Sequence, residues 1–371
     1  MMYAMRNLKI TFAAGVFLRV CSVPAFGGQD GTFSAGGAVA AAGNRLSVVQ
    51  EADAYNTWPM IEKTAGKIVC FYSRGRGHWY DGPRGAYVRT SSDRCFSWTP
   101  EICVTNDPAV CECAEGTGLD NGNALLMWMI CSKGDRNRHR LYRTADGERF
   151  DFVCQPSFSP EPVQVTGIIP LPDGVLLSLW FAGNYRKAEN GHSWGTLTSS
   201  DNGRSWVQRT VEGNLPRSKW PTEISAVSLG DGRILAIGRS ERGTRRQFQL
   251  TSSDGGATWK KFRTNICDVN ESTPSLIYDG KSGLVSNYYF QRGPGVLWRR
   301  TARAEEIFHS PGSWPEPEEV ARGGRNRPYD SGNVKAVADG DLHHVAYYSG
   351  NATNTAVVVV SVRANPFETA R

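Results

Sequence analysis

Ser199-Ser200-Asp201-Asn202-Gly203-Arg204-Ser205-Trp206 and Ser252-Ser253-Asp254-Gly255-Gly256-Ala257-Thr258-Trp259 spell one pattern, S-x-D-x-G-x-[S/T]-W. Ser91-Ser92-Asp93-Arg94-Cys95-Phe96-Ser97-Trp98 repeats it with Cys95 in place of the glycine. Thr144-Ala145-Asp146-Gly147-Glu148-Arg149-Phe150 is a shortened copy, and Ser310-Pro311-Gly312-Ser313-Trp314 keeps only the end. The closing aromatics fall at 98, 150, 206, 259 and 314, a spacing of 52 to 56 residues. A fixed period of this size is the mark of a repeat architecture. Each copy has the chemistry of a hairpin tip: the aspartate accepts hydrogen bonds from its own turn, glycine supplies a positive φ, and tryptophan fills the gap between sheets. These aspartates are therefore folding staples rather than catalysts.

A second ladder lies between the copies. Gly66, Asn121-Gly122, Asp173-Gly174, Asp231-Gly232, Asp279-Gly280 and Asp339-Gly340 each precede a short apolar run, such as Ala124–Ile130 or Ile234–Ile237. Tight turns feeding apolar runs read as buried strands. Six turn–strand units between residues 45 and 363 predict an all-β, six-bladed β-propeller. Arg45–Gln50 is expected to pair near Ala356–Val362 and close the ring.

The 371 residues contain 40 Gly, 19 Pro and 11 Trp, which suits a turn-rich β protein, and no linker or charge block divides residues 45–363. Residues 1–28 combine Arg6 and Lys9 with the apolar run Ile10–Val20, consistent with a targeting segment and a secreted or periplasmic protein. The run is too short to span a membrane, so no stable insertion is expected. Residues 29–44 read as a flexible lead and 364–371 as a tail. A net charge of +6 favours acidic partners. The basic residues are scattered without a recognition motif, so an acidic glycan is expected rather than nucleic acid. Nine cysteines show neither C-x-x-C nor zinc spacing, so no metal or cofactor is expected.

In a propeller the inner strands converge on one mouth, so polar residues beside them are the site candidates. Glu223 lies in Trp220-Pro221-Thr222-Glu223-Ile224, Arg239 ends Ile234–Gly238, and Arg292 follows Ser286–Gln291. Two guanidiniums suit a substrate carboxylate, and a glutamate beside them can serve as base or electrostatic partner. The competing reading is surface ion pairing.

The tandem boxes resemble the Asp-box, or BNR-repeat, sialidase superfamily of six-bladed propellers. In that family a Glu and an Arg sixteen residues apart flank one apolar strand; Glu223 and Arg239 have this spacing, and Arg292 matches a later Arg. The resemblance thus implies a catalytic Glu223 with a carboxylate clamp of Arg239 and Arg292. The first Arg of the usual triad is missing, since Thr57-Trp58-Pro59 stands at its place. Ser331 rather than Tyr329 sits nearest the family's Tyr nucleophile, although a two-residue shift would restore Tyr329. These departures resemble the bacteriophage endosialidases. Tyr55-Asn56-Thr57-Trp58-Pro59, Gly75-Arg76-Gly77-His78 and Asp330-Ser331-Gly332 look like local wording of that subgroup, whose matching stretch carries an active-site His. The resemblance covers about residues 50 to 350 and implies no trimer; a monomer is expected.

The expected function is a sialidase-type glycoside hydrolase acting on sialosides or polysialic acid, endo-like in pattern, with inversion as the natural outcome without a Tyr nucleophile. His78 is a candidate to position substrate or protonate the leaving oxygen, with Asp81 competing for the acid role. Tyr55, Trp58, Arg76, Trp79 and Tyr288 are candidate substrate contacts, or fill the mouth. Two other readings stay open: a non-catalytic glycan-binding propeller, and a polysaccharide lyase acting on uronic-acid polymers.

Overall fold

The computed structural model describes residues 36–51, 53–64, 66–78, 83–133, 136–241, 245–269, 272–323 and 330–367. Residues 1–28, read from the sequence as a targeting segment, lie outside them, as do Trp79, Asp81 and Tyr329. The chain folds as an all-β propeller of antiparallel meanders. Innermost strands Tyr55–Thr64, Cys111–Leu119, Gln164–Pro170, Pro221–Gly230, Pro274–Asp279 and Ser331–Asp339 pack against one another around the axis.

The division into six separate four-stranded blades is corrected by the hydrogen bonding. Three sheets have four strands, running from Cys111 to Cys154, Gln164 to Leu215 and Pro221 to Arg263. A fourth, from Pro274 to Arg322, has five, because Val39–Ala40 from the stretch read as a lead pairs with Glu318–Arg322. Only these four stand as discrete blades. The remaining strands form one continuous sheet of eight, from Ser331 to Arg363 and from Tyr55 to Thr105, with Arg45–Gln50 paired to Thr355–Arg363. The physical reason is a parallel join at Thr355 and Tyr55. Around it Thr355 N donates to Ala54 O at 2.9 Å, Asn56 Nδ2 donates to Thr355 O at 2.9 Å, and Thr355 Oγ1 donates to Asn56 O at 2.5 Å. The two ends of the chain are thereby fused.

The apolar runs occupy the second strand of each meander, where neighbouring sheets cover both faces. Leu126, Trp128, Leu141, Val165, Leu176 and Trp180 form one intersheet cluster, and Leu179, Phe181, Trp194, Ala236 and Leu250 the next. Trp206 packs on Trp128 and Trp259 on Trp194, with ring centroids 5.1 and 5.9 Å apart. Each of these tryptophans thus staples its sheet to the preceding one. At the tips, Asp201 Oδ1 accepts Ser205 N and Ser199 Oγ at 2.8 and 2.9 Å, and Gly203 N donates to Ser199 Oγ at 2.8 Å. Asp254 repeats this with Thr258, Ser252 and Gly256. Cys95 takes the glycine's place at φ +63°, its N–H bonded to Ser91 Oγ at 2.9 Å. Cys70, Cys95, Cys103, Cys131, Cys154 and Cys267 are free thiols.

Near the axis the strands approach so closely that a side chain is excluded. A Cβ at Gly118 would lie 2.0 Å from Ile168 O, and one at Gly116 2.4 Å from Thr166 O. Among the described residues no helix is long and apolar enough to cross a membrane.

Candidate functional site

A cavity of about 810 Å³ opens where the innermost strands begin. A β-bulge places an extra residue in a strand and re-aims its side chains. Five of these strands are bulged at corresponding places, between Thr57 and Met60, Ala114 and Gly116, Val165 and Ile168, Thr222 and Ser225, and Gly332 and Lys335. Each bulge contributes to the cavity wall. Three hold a non-glycine residue at positive φ: Trp58 at +51°, Glu223 at +47° and Asn333 at +47°. Such backbone costs on the order of 1–3 kcal/mol and persists where the surroundings over-determine it.

Glu223, Arg239 and Arg292 meet in this cavity. Arg239 Nη1 donates to both oxygens of Glu223 at 2.8 Å. The rest of its fork faces Glu241, with Nε 2.9 Å from Oε1 and Nη2 3.2 Å from Oε2. Glu241 also accepts Thr222 Oγ1 at 2.5 Å and stands 3.6 Å from Arg217 Nη2. The result is an alternating chain of charge, Glu223–Arg239–Glu241–Arg217. Burial raises the Glu223 pKa above the usual carboxylate value, and Arg239 opposes the shift. Arg292 is 2 % exposed. Its Nε donates to Ser331 O at 2.9 Å and its Nη2 to Asn333 Oδ1 at 2.7 Å, so the last bulge aims this guanidinium.

His78 and Trp58 line the same wall, their rings edge-on at 5.6 Å. Nδ1 of His78 is 3.3 Å from Tyr348 Oη. Burial, reinforced by Arg292, Arg84 and Arg239, lowers the His78 pKa to about 3. This shift favours the uncharged imidazole, which exchanges hydrogen bonds, over the imidazolium that protonating the leaving oxygen would need.

The other expected contacts lie elsewhere. Tyr55 is buried behind the wall, with Oη donating to Asp330 Oδ1 at 3.3 Å. Arg76 is exposed and outside the cavity lining. Tyr288 is a core residue, fully buried between sheets with Oη 2.8 Å from His343 Nδ1; strand alternation turns it away from the mouth. Trp79, Asp81 and Tyr329 are outside the described residues.

Several wall residues were missed. Glu241 lies two residues beyond Arg239, so strand alternation could have placed both on one face. Glu115 lines the wall, with Oε1 2.5 Å from buried His139 Nδ1, while His139 Nε2 is 3.1 Å from Pro162 O. Burial opposes charge on His139, but Glu115 outweighs it and holds the pKa above its ordinary value. Both ring nitrogens face acceptors, as an imidazolium requires. Lys335 sits between the main cavity and a smaller axial one of about 190 Å³ that also reaches Glu62. Burial lowers the Lys335 pKa and raises that of Glu62, each opposed by the other's charge. No sequence signal marks these pairs, because their members lie on strands that are not neighbours in the hydrogen-bonded ladder.

No protein-family profile and no curated protein sequence matches the chain. Solved structures do resemble it. A Dyadobacter fermentans protein of unknown function superposes with a TM-score of 0.70 at 17% identity, covering 88% of this chain and 100% of that one. The phage phi92 endosialidase gives 0.66 at 10% identity, covering 88% and 70%. Trypanosoma rangeli sialidase in complex with sialic acid gives 0.59 at 12% identity, covering 87% and 58%, so the chain spans about three fifths of that protein's length. At these identities the likeness is one of fold: the chain is a sialidase-like propeller.

Proposed function

We propose that the cavity is the active centre of a glycoside hydrolase for sialic-acid-containing glycans, polysialic acid included. The observation that carries this reading is the convergence of Glu223, Arg239 and Arg292, each brought by a different strand, in one cavity. Arg239 and Arg292 would hold the sugar carboxylate, since guanidinium forks match carboxylates. A carboxylate arriving at Arg239 competes with Glu223 for Nη1. This frees Glu223 to take a proton from water as the water attacks the anomeric carbon. The same charge stabilises the oxocarbenium-like transition state; as the water oxygen bonds to the anomeric carbon the glycosidic bond breaks, the leaving oxygen takes its proton from solvent, and this single displacement inverts the centre. Neutral His78 positions a substrate hydroxyl.

The test is chromatography of products from polysialic acid, a short sialoside and a polyuronate, incubated in parallel with the protein and with Glu223→Gln. Sialic-acid products that fall by at least about a hundredfold in Glu223→Gln are expected for loss of a general base. Release of free sialic acid alone would mark terminal rather than internal cleavage. No cleavage of either sialic-acid substrate would overturn the proposal; unsaturated products from the polyuronate would replace it with a lyase, and binding alone with a lectin-like propeller.

A further inference from the structure

Beside the cavity, three segments from neighbouring sheets are tied together and carry an excess of positive charge. Asn184–Ala188 contributes Arg186 and Lys187, the short 3-10 turn Arg217–Lys219 contributes two cations, and Arg245 and Arg246 follow the Pro221–Arg263 sheet's second strand. Arg217 N donates to Ala188 O at 3.3 Å, joining the first two. Arg263 joins the second to the third: Nη1 donates to Ser240 Oγ and Arg246 O at 2.8 Å, and Nη2 to Ser218 O. Its guanidinium carbon lies 3.6 Å from the Phe248 ring centroid, which holds this strut in place.

Arg186, Lys187, Lys219, Arg245 and Arg246 are all exposed. Among the described residues none of their side chains forms an ion pair or hydrogen bond. Of the nearby acids, Glu189 is exposed, Glu241 is buried and engaged by Arg239 and Arg217, and Glu212 is paired with Lys261, whose Nζ also donates to Lys219 O at 2.9 Å. Arg186 and Arg217 also line the cavity, so the rim and the pocket are one continuous surface. Five unpaired cations held on tied segments repel one another, an arrangement suited to an anionic occupant.

We infer that this basic rim is a binding site for the part of an acidic polysaccharide that extends beyond the sugar seated in the cavity. Among the described residues the rim carries no exposed aromatic platform on which bases would stack, since Tyr185 is packed against Trp220 with centroids 5.2 Å apart. Carboxylates spaced along a polysaccharide need only the cations. The inference rests on the hydrolase reading for its substrate class, and it makes the enzyme act within a chain rather than at its end.

The experiment compares full-length Glu223→Gln with Glu223→Gln carrying Lys187→Ala, Arg245→Ala and Arg246→Ala. Calorimetry at low and high salt titrates each with long polysialic acid, a sialic-acid dimer, a polyuronate and single-stranded DNA. Thermal melting checks that both proteins fold alike. The expected result is affinity for the long polymer on the order of tenfold weaker at low salt, with a shallower salt dependence and a much smaller change for the dimer. Equal affinity of both proteins for the long polymer would overturn the inference, as would an equal loss for the dimer. Tighter binding of DNA than of either polysaccharide would overturn it in favour of nucleic acid. Should neither sialic-acid ligand bind, the hydrolase reading falls by itself. The rim inference then stands if the polyuronate shows the tenfold loss and fails if it does not.

Discussion

Glu223 shows how much of this site depends on one residue's backbone. Its φ of +47° sets it in a bulge that turns a strand residue into the mouth, where it meets Arg239. Burial raises its pKa above the usual value of 4.5, so a reaction that needs its carboxylate should lose activity on the acidic side at a higher pH than an exposed glutamate would give. A pH profile of kcat/KM whose acidic limb disappears in Glu223→Gln is the expected outcome. His78 has the opposite signature. Its pKa falls from 6.5 in the unfolded chain to about 3 in the fold, so the unfolded state binds more protons between these values. Stability should therefore hold above pH 6.5 and decline toward pH 3, with a slope from this residue of at most about 1.4 kcal/mol per pH unit. Urea titrations across that range should give a shallower decline for His78→Gln; parallel curves would mean that His78 stays charged in the folded protein.

At the scale of the element, the hairpin tips are self-contained. Ser199, Asp201, Gly203 and Ser205 close their own hydrogen bonds, and Trp206 carries the tip's influence to the preceding sheet. Hydrogen bonds from Ser205 hold the Asp201 pKa down to about 2. Its contribution to stability is therefore complete above pH 4 and is lost as the pH falls toward 2. Asp201→Ala and Asp254→Ala should each cost about 1–2 kcal/mol in denaturant unfolding while leaving the proposed hydrolase activity intact. A large loss of activity without a loss of stability would give these aspartates a functional role that their geometry does not suggest.

For the whole molecule, closure rests on a small join. Asn56 is fully buried; its Nδ2 reaches Thr355 O, Ala54 O and Glu51 O, and its Oδ1 accepts Arg74 Nε at 3.0 Å. Asn56→Ala leaves these groups unsatisfied and should lower stability by about 2–3 kcal/mol. Amide exchange should accelerate first along Thr355–Arg363. A loss below about 0.5 kcal/mol would show that the intersheet core, rather than this join, holds the ring closed.

The sequence by itself determined the local structure. Turn chemistry repeats at a readable period, and buried second strands are continuous apolar runs, so an all-β propeller follows from neighbours along the chain. Glu223, Arg239 and Arg292 were also legible, because one apolar strand lies between the first two and another leads to the third. The tertiary structure decided what depends on contacts across the sheets. It fused the chain's ends into an eight-stranded sheet through Thr355 and Asn56, overturning the count of six separate blades. It buried Tyr288 between sheets, pushed the His78 pKa down by burial and three nearby guanidiniums, and set Glu241, Arg217 and Glu115, with its partner His139, at the cavity wall. Hydrogen-bond partners far apart in sequence and the low dielectric around buried wall residues leave no periodic trace in the chain; they exist only once the ring has formed.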